Sequence, residues 1–163
     1  MYNAPIVPDD FDVPETLETG RIRLRPLVHK DVELDFNAVM SSEDRLKTVF
    51  MPGEAWPTGL TLEQSMIEVC WHQAEFQLKT SFAYTVITLD ESQILGCVYI
   101  YPTHTDAHDV EVTLWVRESE SETALDAHLY ETVSAWIATK WPFVSPAYPG
   151  REISWEAWNS LNN

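Results

Sequence analysis

Between residues 82 and 116 the hydrophobic pattern repeats with the period of an extended chain in two segments and runs unbroken in a third between them. Phe82, Tyr84, Val86 and Thr88 alternate with Ala83, Thr85, Ile87 and Leu89, and Asp90-Glu91-Ser92 follows as a reverse turn. A period of two places successive side chains on opposite faces of a strand. Residues 94–101 are continuously apolar around Gly96 and stop at Pro102, the pattern of a strand covered on both faces. The two segments form a hairpin. Val110, Val112, Leu114 and Val116 then alternate with Glu111, Thr113 and Trp115 to give a third strand. Directly after it the period becomes helical: Leu125, Leu129, Val133, Trp136 and Ile137 fall on one face of a segment from about 123 to 140, which Pro142 ends. These patterns require an antiparallel sheet with a long amphipathic helix laid against it.

The remaining segments extend that plan. Residues 1–20 hold five acidic side chains, no basic one, and prolines at 5, 8 and 14, which reads as an acidic extended arm. Residues 21–163 form one domain. Arg21-Ile22-Arg23-Leu24-Arg25 alternates basic and apolar residues as a strand buried on one face, and Pro26 limits it. Val32, Phe36, Val39 and Met40 have helical spacing over about 30–41, with Asp31 and Glu33 at the positive end. Thr61-Leu62-Glu63-Gln64 is a capping box that opens a second helix to about Leu78, with Leu62, Met66, Val69 and Phe76 expected toward the core. After Pro142 there is room for one short strand around 152–155. A chain of 163 residues supports one core.

A hydrophobic content of 45% excludes a disordered chain. The longest apolar run, 94–101, falls well short of the roughly 20 residues that cross a bilayer. Residues 1–20 carry no basic-then-apolar export signal, so a cytoplasmic protein is expected. Cys70 and Cys97 do not form a CxxC pair, and both read as small buried hydrophobes.

The net charge is −16. Such a field repels nucleic acid and anionic membranes and favours amines or basic surfaces as partners, although acidity also serves solubility alone. Eight carboxylates lie between residues 106 and 131 against one cation, Arg117.

Three matches, in order, resemble the GNAT acetyltransferase superfamily over residues 20–140. Ile22-Arg23-Leu24-Arg25-Pro26-Leu27 resembles its first strand and the entry to its first helix. Phe82-Ala83-Tyr84-Thr85-Val86 with Leu95-Gly96-Cys97-Val98-Tyr99-Ile100 resembles its central hairpin. Glu111-Val112-Thr113-Leu114-Trp115-Val116-Arg117, leading into the long helix, resembles the strand and helix that hold acetyl-CoA in the family. The resemblance implies an α+β fold whose central mixed, mostly antiparallel sheet is flanked by helices. It also implies a splayed strand at 110–117 whose backbone pairs with pantetheine.

By the same resemblance, Leu114, Trp115, Val116 and Arg117, with Ala124 and Leu125 at the helix start, are the acetyl-CoA contacts. The pyrophosphate turn departs from the family pattern. Its Gln/Arg, Gly and Gly/Ala positions become Ser121, Ala124 and Asp126, amid Glu118, Glu120 and Glu122. Two functions are compatible with this: an N-acetyltransferase acting on an amine of a small or basic substrate, or a GNAT-like interaction module that has lost the cofactor. A shortened C-terminus leaves a sheet edge open to a homodimer.

Glu111 is the candidate general base, placed where related enzymes put a carboxylate that accepts the amine's proton; a solvent-facing residue on an alternating strand is its structural alternative. The loop with His104, Asp106, His108 and Asp109 has metal-ligand residue types, but an exposed loop carries these as solvated side chains, and no metal is expected. His72 reads as a packing residue, or alternatively as a substrate-facing base. Arg21, Arg23 and Arg25 read as an outward face paired with carboxylates. Tyr130 and Tyr148 stand in no recognisable general-acid segment and read as core or rim aromatics.

Overall fold

The structure is a computed structural model describing residues 4–50, 53–103 and 105–161. Its centre is a six-stranded sheet in which sequence order equals spatial order: β1 (Leu17–Glu18), β2 (Arg23–Pro26), β3 (Phe82–Ile87), β4 (Ile94–Pro102), β5 (Val110–Val116) and β6 (Pro146–Ala147). All neighbours are antiparallel except β5 and β6. The helices are α1 (Val32–Met40), α2 (Glu43–Val49), α3 (Leu62–Gln77), α4 (Leu125–Lys140) and α5 (Trp155–Leu161). The α+β arrangement is the one the patterns required.

Strand alternation sorts the core into two layers. Leu24, Tyr84, Val98, Ile100, Val112 and Leu114 pack against Leu129, Val133 and Trp136 of α4. Ala83, Ile87, Cys97, Tyr99 and Trp115 face the other way, onto Val32, Val39, Leu46 and Val69 of α1, α2 and α3. Gly96 lies where β4 meets β5, and a Cβ there would stand 2.0 Å from the Trp115 carbonyl oxygen. Only glycine admits that strand spacing.

The acidic arm is docked along the sheet. Val7 is buried, the Tyr84 hydroxyl donates to the Pro14 carbonyl at 2.5 Å, and Lys79 Nζ donates to the carbonyls of Asp9 and Phe11. Arg23 pairs with Glu18 and Glu91, and Arg25 with Asp31 and Glu91, as an outward basic face paired with carboxylates requires.

Several local expectations are corrected. Val69 of α3 is buried and Phe76 is partly so, but Leu62 and Met66 are exposed at 44% and 38%. The inward stripe runs Ser65, Val69, His72 and Phe76, about one position round from the apolar residues read in the sequence. Cys70, on the outer side of α3, is exposed, whereas Cys97 is buried. Helix α2 was not marked by periodicity, because Leu46 is its one buried residue. The final strand is Pro146–Ala147, and residues near 152–155 lead instead into α5.

Candidate active site

β6 pairs with β5 only at Val110 and Glu111, after which the two chains diverge. Because the Arg117 N–H donates to Leu95 of β4, the odd residues of β5 address β4, and the carbonyls of Leu114 and Val116 face the open edge. Two arginines reach them there. Arg151 Nη2 donates to the Leu114 carbonyl at 3.3 Å and Arg45 Nε to the Val116 carbonyl at 3.0 Å. Arg151 also grips Asp126 through both terminal nitrogens, at 2.8 and 2.9 Å. That pairing, together with Arg45, holds the Asp126 carboxyl below its usual range. Arg45, Thr113, Leu114, Asp126, Arg151 and Trp155 line a cleft of about 260 Å3.

The cleft fits a cofactor with an anionic end and a chain of amides. Beyond Glu111 its backbone edge is not covered by β6, although Arg151 and Arg45 hold the carbonyls of Leu114 and Val116, and these two guanidiniums stand in it against one carboxylate. Glu118 and Glu122 of the preceding turn are exposed, so water screens most of their repulsion for a bound anion.

A second cavity, of about 310 Å3, opens on the α1/α3 side and meets the first at Phe50, which lines both. Its wall is aromatic. Phe50 meets Trp56 edge-on with centroids 5.7 Å apart, Tyr99 and Tyr101 stack at 5.6 Å, and His72 lies 5.4 Å from Tyr99. Asp35 and Glu68 line the same cavity, with Asp35 buried and Glu68 at the exposed end. Burial, reinforced by repulsion from Asp31 and Glu68, pushes the Asp35 carboxyl up to about 7. Burial also raises Glu68, against a hydrogen bond from Trp56, and lowers His72. Asp35 Oδ1 and His72 Nδ1 are buried without hydrogen-bond partners.

The residues marked in the sequence occupy different parts of this arrangement. Glu111 stands directly across from Tyr101, on the sheet face turned to α1 and α3, and so beside the aromatic cavity. Leu114 contributes its carbonyl to the cleft. Trp115 is fully buried, its indole donating to the Tyr99 hydroxyl, and Val116 presents only backbone to the open edge. The Arg117 guanidinium turns inward to the Ile94 carbonyl, Asn37 and Ser41, away from the cleft. Ala124 caps α4 without a side-chain bond, and the Leu125 N–H donates to Thr123.

The remaining candidates lie elsewhere. Asp109 accepts from the N–H groups of Val144 and Ser145, and His108 contacts the Ser145 carbonyl. His104 lies outside the described residues, and among those described no group of three or more metal-ligating side chains is found. Tyr130 donates to Glu152 and packs edge-on against Tyr148. Burial drives the Cys97 thiol far above its usual value, which leaves no thiolate nucleophile there.

Sequence reasoning missed Asp35, Glu68, Arg45 and Arg151. For Asp35 a signal existed: it sits three residues after Val32 and four before Val39, on the apolar face of α1. No comparable signal marked Arg151, whose partner is 25 residues distant and whose own segment lacks periodicity.

Comparison with solved structures places this architecture. A ribosomal-protein-S5-alanine acetyltransferase from Vibrio fischeri matches with a TM-score of 0.60 at 16% identity, over 77% of this chain and 67% of that one. A ribosomal-protein alpha-N-protein acetyltransferase in complex with coenzyme A matches at 0.61 and 14%, covering 76% and 68%. A microcin C7 self-immunity acetyltransferase in complex with acetyl-CoA and AMP matches at 0.61 and 12%, covering 77% and 67%. No protein-family model and no curated protein matches the sequence. The chain therefore has the fold of the GNAT acetyltransferases. Among the described residues no helix is long and apolar enough to cross a membrane.

Proposed function

We propose that this chain is a GNAT-type N-acetyltransferase that moves an acyl group from acetyl-CoA to the amine of a small or basic substrate. The observation that carries this reading is the meeting at Phe50 of two unlike cavities: a cleft along the open edge of β5 with two arginines, and an aromatic cavity with carboxylates. A transferase needs one site for a polar anionic donor and an adjoining one for its acceptor.

The backbone of Leu114, Trp115, Val116 and Arg117 and the α4 start at Ala124 and Leu125 position the donor in this proposal. The cofactor supplies an activated thioester carbonyl. Glu111 would accept, directly or through one water, the proton that the neutral amine loses as it displaces CoA, whose thiolate would leave and take a proton from solvent.

One observation favours a non-catalytic interaction module instead: Arg151 and Arg45 already occupy the carbonyls of Leu114 and Val116, and Asp126 faces the same cleft. Calorimetric titration with acetyl-CoA separates the two. Saturable binding, with a thermal shift growing as RT ln(1 + [L]/Kd), is expected of the transferase. No heat and no shift at millimolar cofactor assigns the chain to the module class. A cytoplasmic location and a homodimer paired through the short sheet edges belong to the same proposal. A monomeric mass by light scattering removes the dimer.

A further inference from the structure

The carboxylates of the aromatic cavity differ from the other carboxylates that meet an arginine in this protein. Asp31 is answered by Arg25 at 2.8 Å and Asp126 by Arg151 at 2.8 Å. Asp35 is 7% exposed, lines the cavity, has an unpartnered oxygen, and takes part in none of the ion pairs among the described residues. An unpaired carboxylate in such a place is costly, and the cost disappears when a cation sits beside it. His72, on the same wall, offers a second buried nitrogen without a partner. With its proton on Nε2, His72 Nδ1 is an acceptor. Two buried acceptors without partners on one wall suit a ligand head rich in N–H.

The walls define the rest of the ligand. Phe50, Trp56, Tyr99 and Tyr101 line the cavity; aromatic ring faces attract a cation, and the rings' apolar surface covers a carbon body. Glu68 at the exposed end adds a second negative charge on the way in. A volume of about 310 Å3 is at the lower end of the roughly 300–1,000 Å3 of small-molecule sites.

We infer that this cavity binds a small primary ammonium compound with an apolar or aromatic body, its charged head seated against Asp35 and His72 and its body held by Phe50, Trp56, Tyr99 and Tyr101. As the acyl acceptor, this ligand rests on the transferase reading above. As a bound cation, it does not.

The test is calorimetry on the full chain without cofactor, using phenethylamine hydrochloride, its neutral counterpart 2-phenylethanol, and the same titrations on Asp35→Asn and Glu68→Gln. Saturable binding of the amine, at least tenfold weaker for the alcohol and for Asp35→Asn, is expected, with Glu68→Gln weakening it less. Circular dichroism and urea unfolding verify that each variant is folded; should Asp35→Asn fail to fold, His72→Ala takes its place with the same expected loss. Equal affinity for amine and alcohol, or full binding by the folded Asp35 variant, overturns the inference. Amine binding without acetyl transfer leaves it standing and removes the transferase. Acetyl transfer to amines that is indifferent to Asp35 does the reverse.

Discussion

Replacing Asp35 by Asn keeps the shape of the side chain on α1 and removes its charge. Burial, with repulsion from Asp31 and Glu68, pushes the carboxyl up to about 7 in the folded protein from an ordinary value of 3.8. Between those values the folded state holds a proton that the unfolded state has released, so stability falls as pH rises through the window. A shift of about 3 pKa units corresponds to a ceiling of about 4 kcal/mol, reached above pH 7. The neighbouring groups have their own signs. Asp31 is neutralised by Arg25. Glu68, raised by burial, loses stability with rising pH in the same direction, whereas His72, lowered by burial, loses it as pH falls. Cys97, Tyr99 and Tyr101 are raised far above this range and stay protonated. Subtracting the two proteins' curves isolates Asp35. Urea unfolding at half-unit steps from pH 3 to 8.5 is expected to give matching stabilities near pH 3, below the unfolded value, and a growing advantage for Asp35→Asn, by about 1–4 kcal/mol at pH 8. Parallel curves, or a variant less stable at pH 8, would refute the claim that Asp35 is an unanswered buried carboxylate.

Three other substitutions probe the sheet and the cleft. Gly96→Ala drives a Cβ to 2.0 Å from the Trp115 carbonyl oxygen, and a loss of more than about 3 kcal/mol is expected in the same unfolding assay. Asp126→Asn removes the carboxylate that Arg151 holds. About 1 kcal/mol of stability should be lost, while acetyl-CoA binding by calorimetry tightens several-fold as a like charge leaves the cleft. Glu111→Gln is expected to lower kcat about 100-fold. Unchanged turnover across the pH range would remove Glu111 from the chemistry.

The parts of the fold that were legible in the sequence are those where burial writes a period. The runs that became β3, β4 and β5 are apolar almost throughout because each strand is covered on both faces, and α4 repeats because its inner side rests on the layer that holds Leu114 and Val98. In α3 the apolar residues and the inward face diverge. Ser65 and His72 point in while Leu62 and Met66 point out, and His72 is polar because it lines a cavity rather than filling a core. Helix α2 has Leu46 as its one buried residue, and β6 is two residues long and begins with proline, so neither carries a pattern. Glu111 was singled out by its place on a strand that resembles the family's. Arg151 was not, since its role depends on a return of the chain to β5 that only the tertiary fold determines.

Acetyl transfer itself is measured most directly by mass spectrometry of phenethylamine incubated with acetyl-CoA and the protein. Formation of the N-acetyl amide with one equivalent of free CoA, absent without protein and strongly reduced in Glu111→Gln, is the expected result. No amide from phenethylamine or from a panel of other primary amines, together with no acetyl-CoA binding at millimolar concentration, would contradict it.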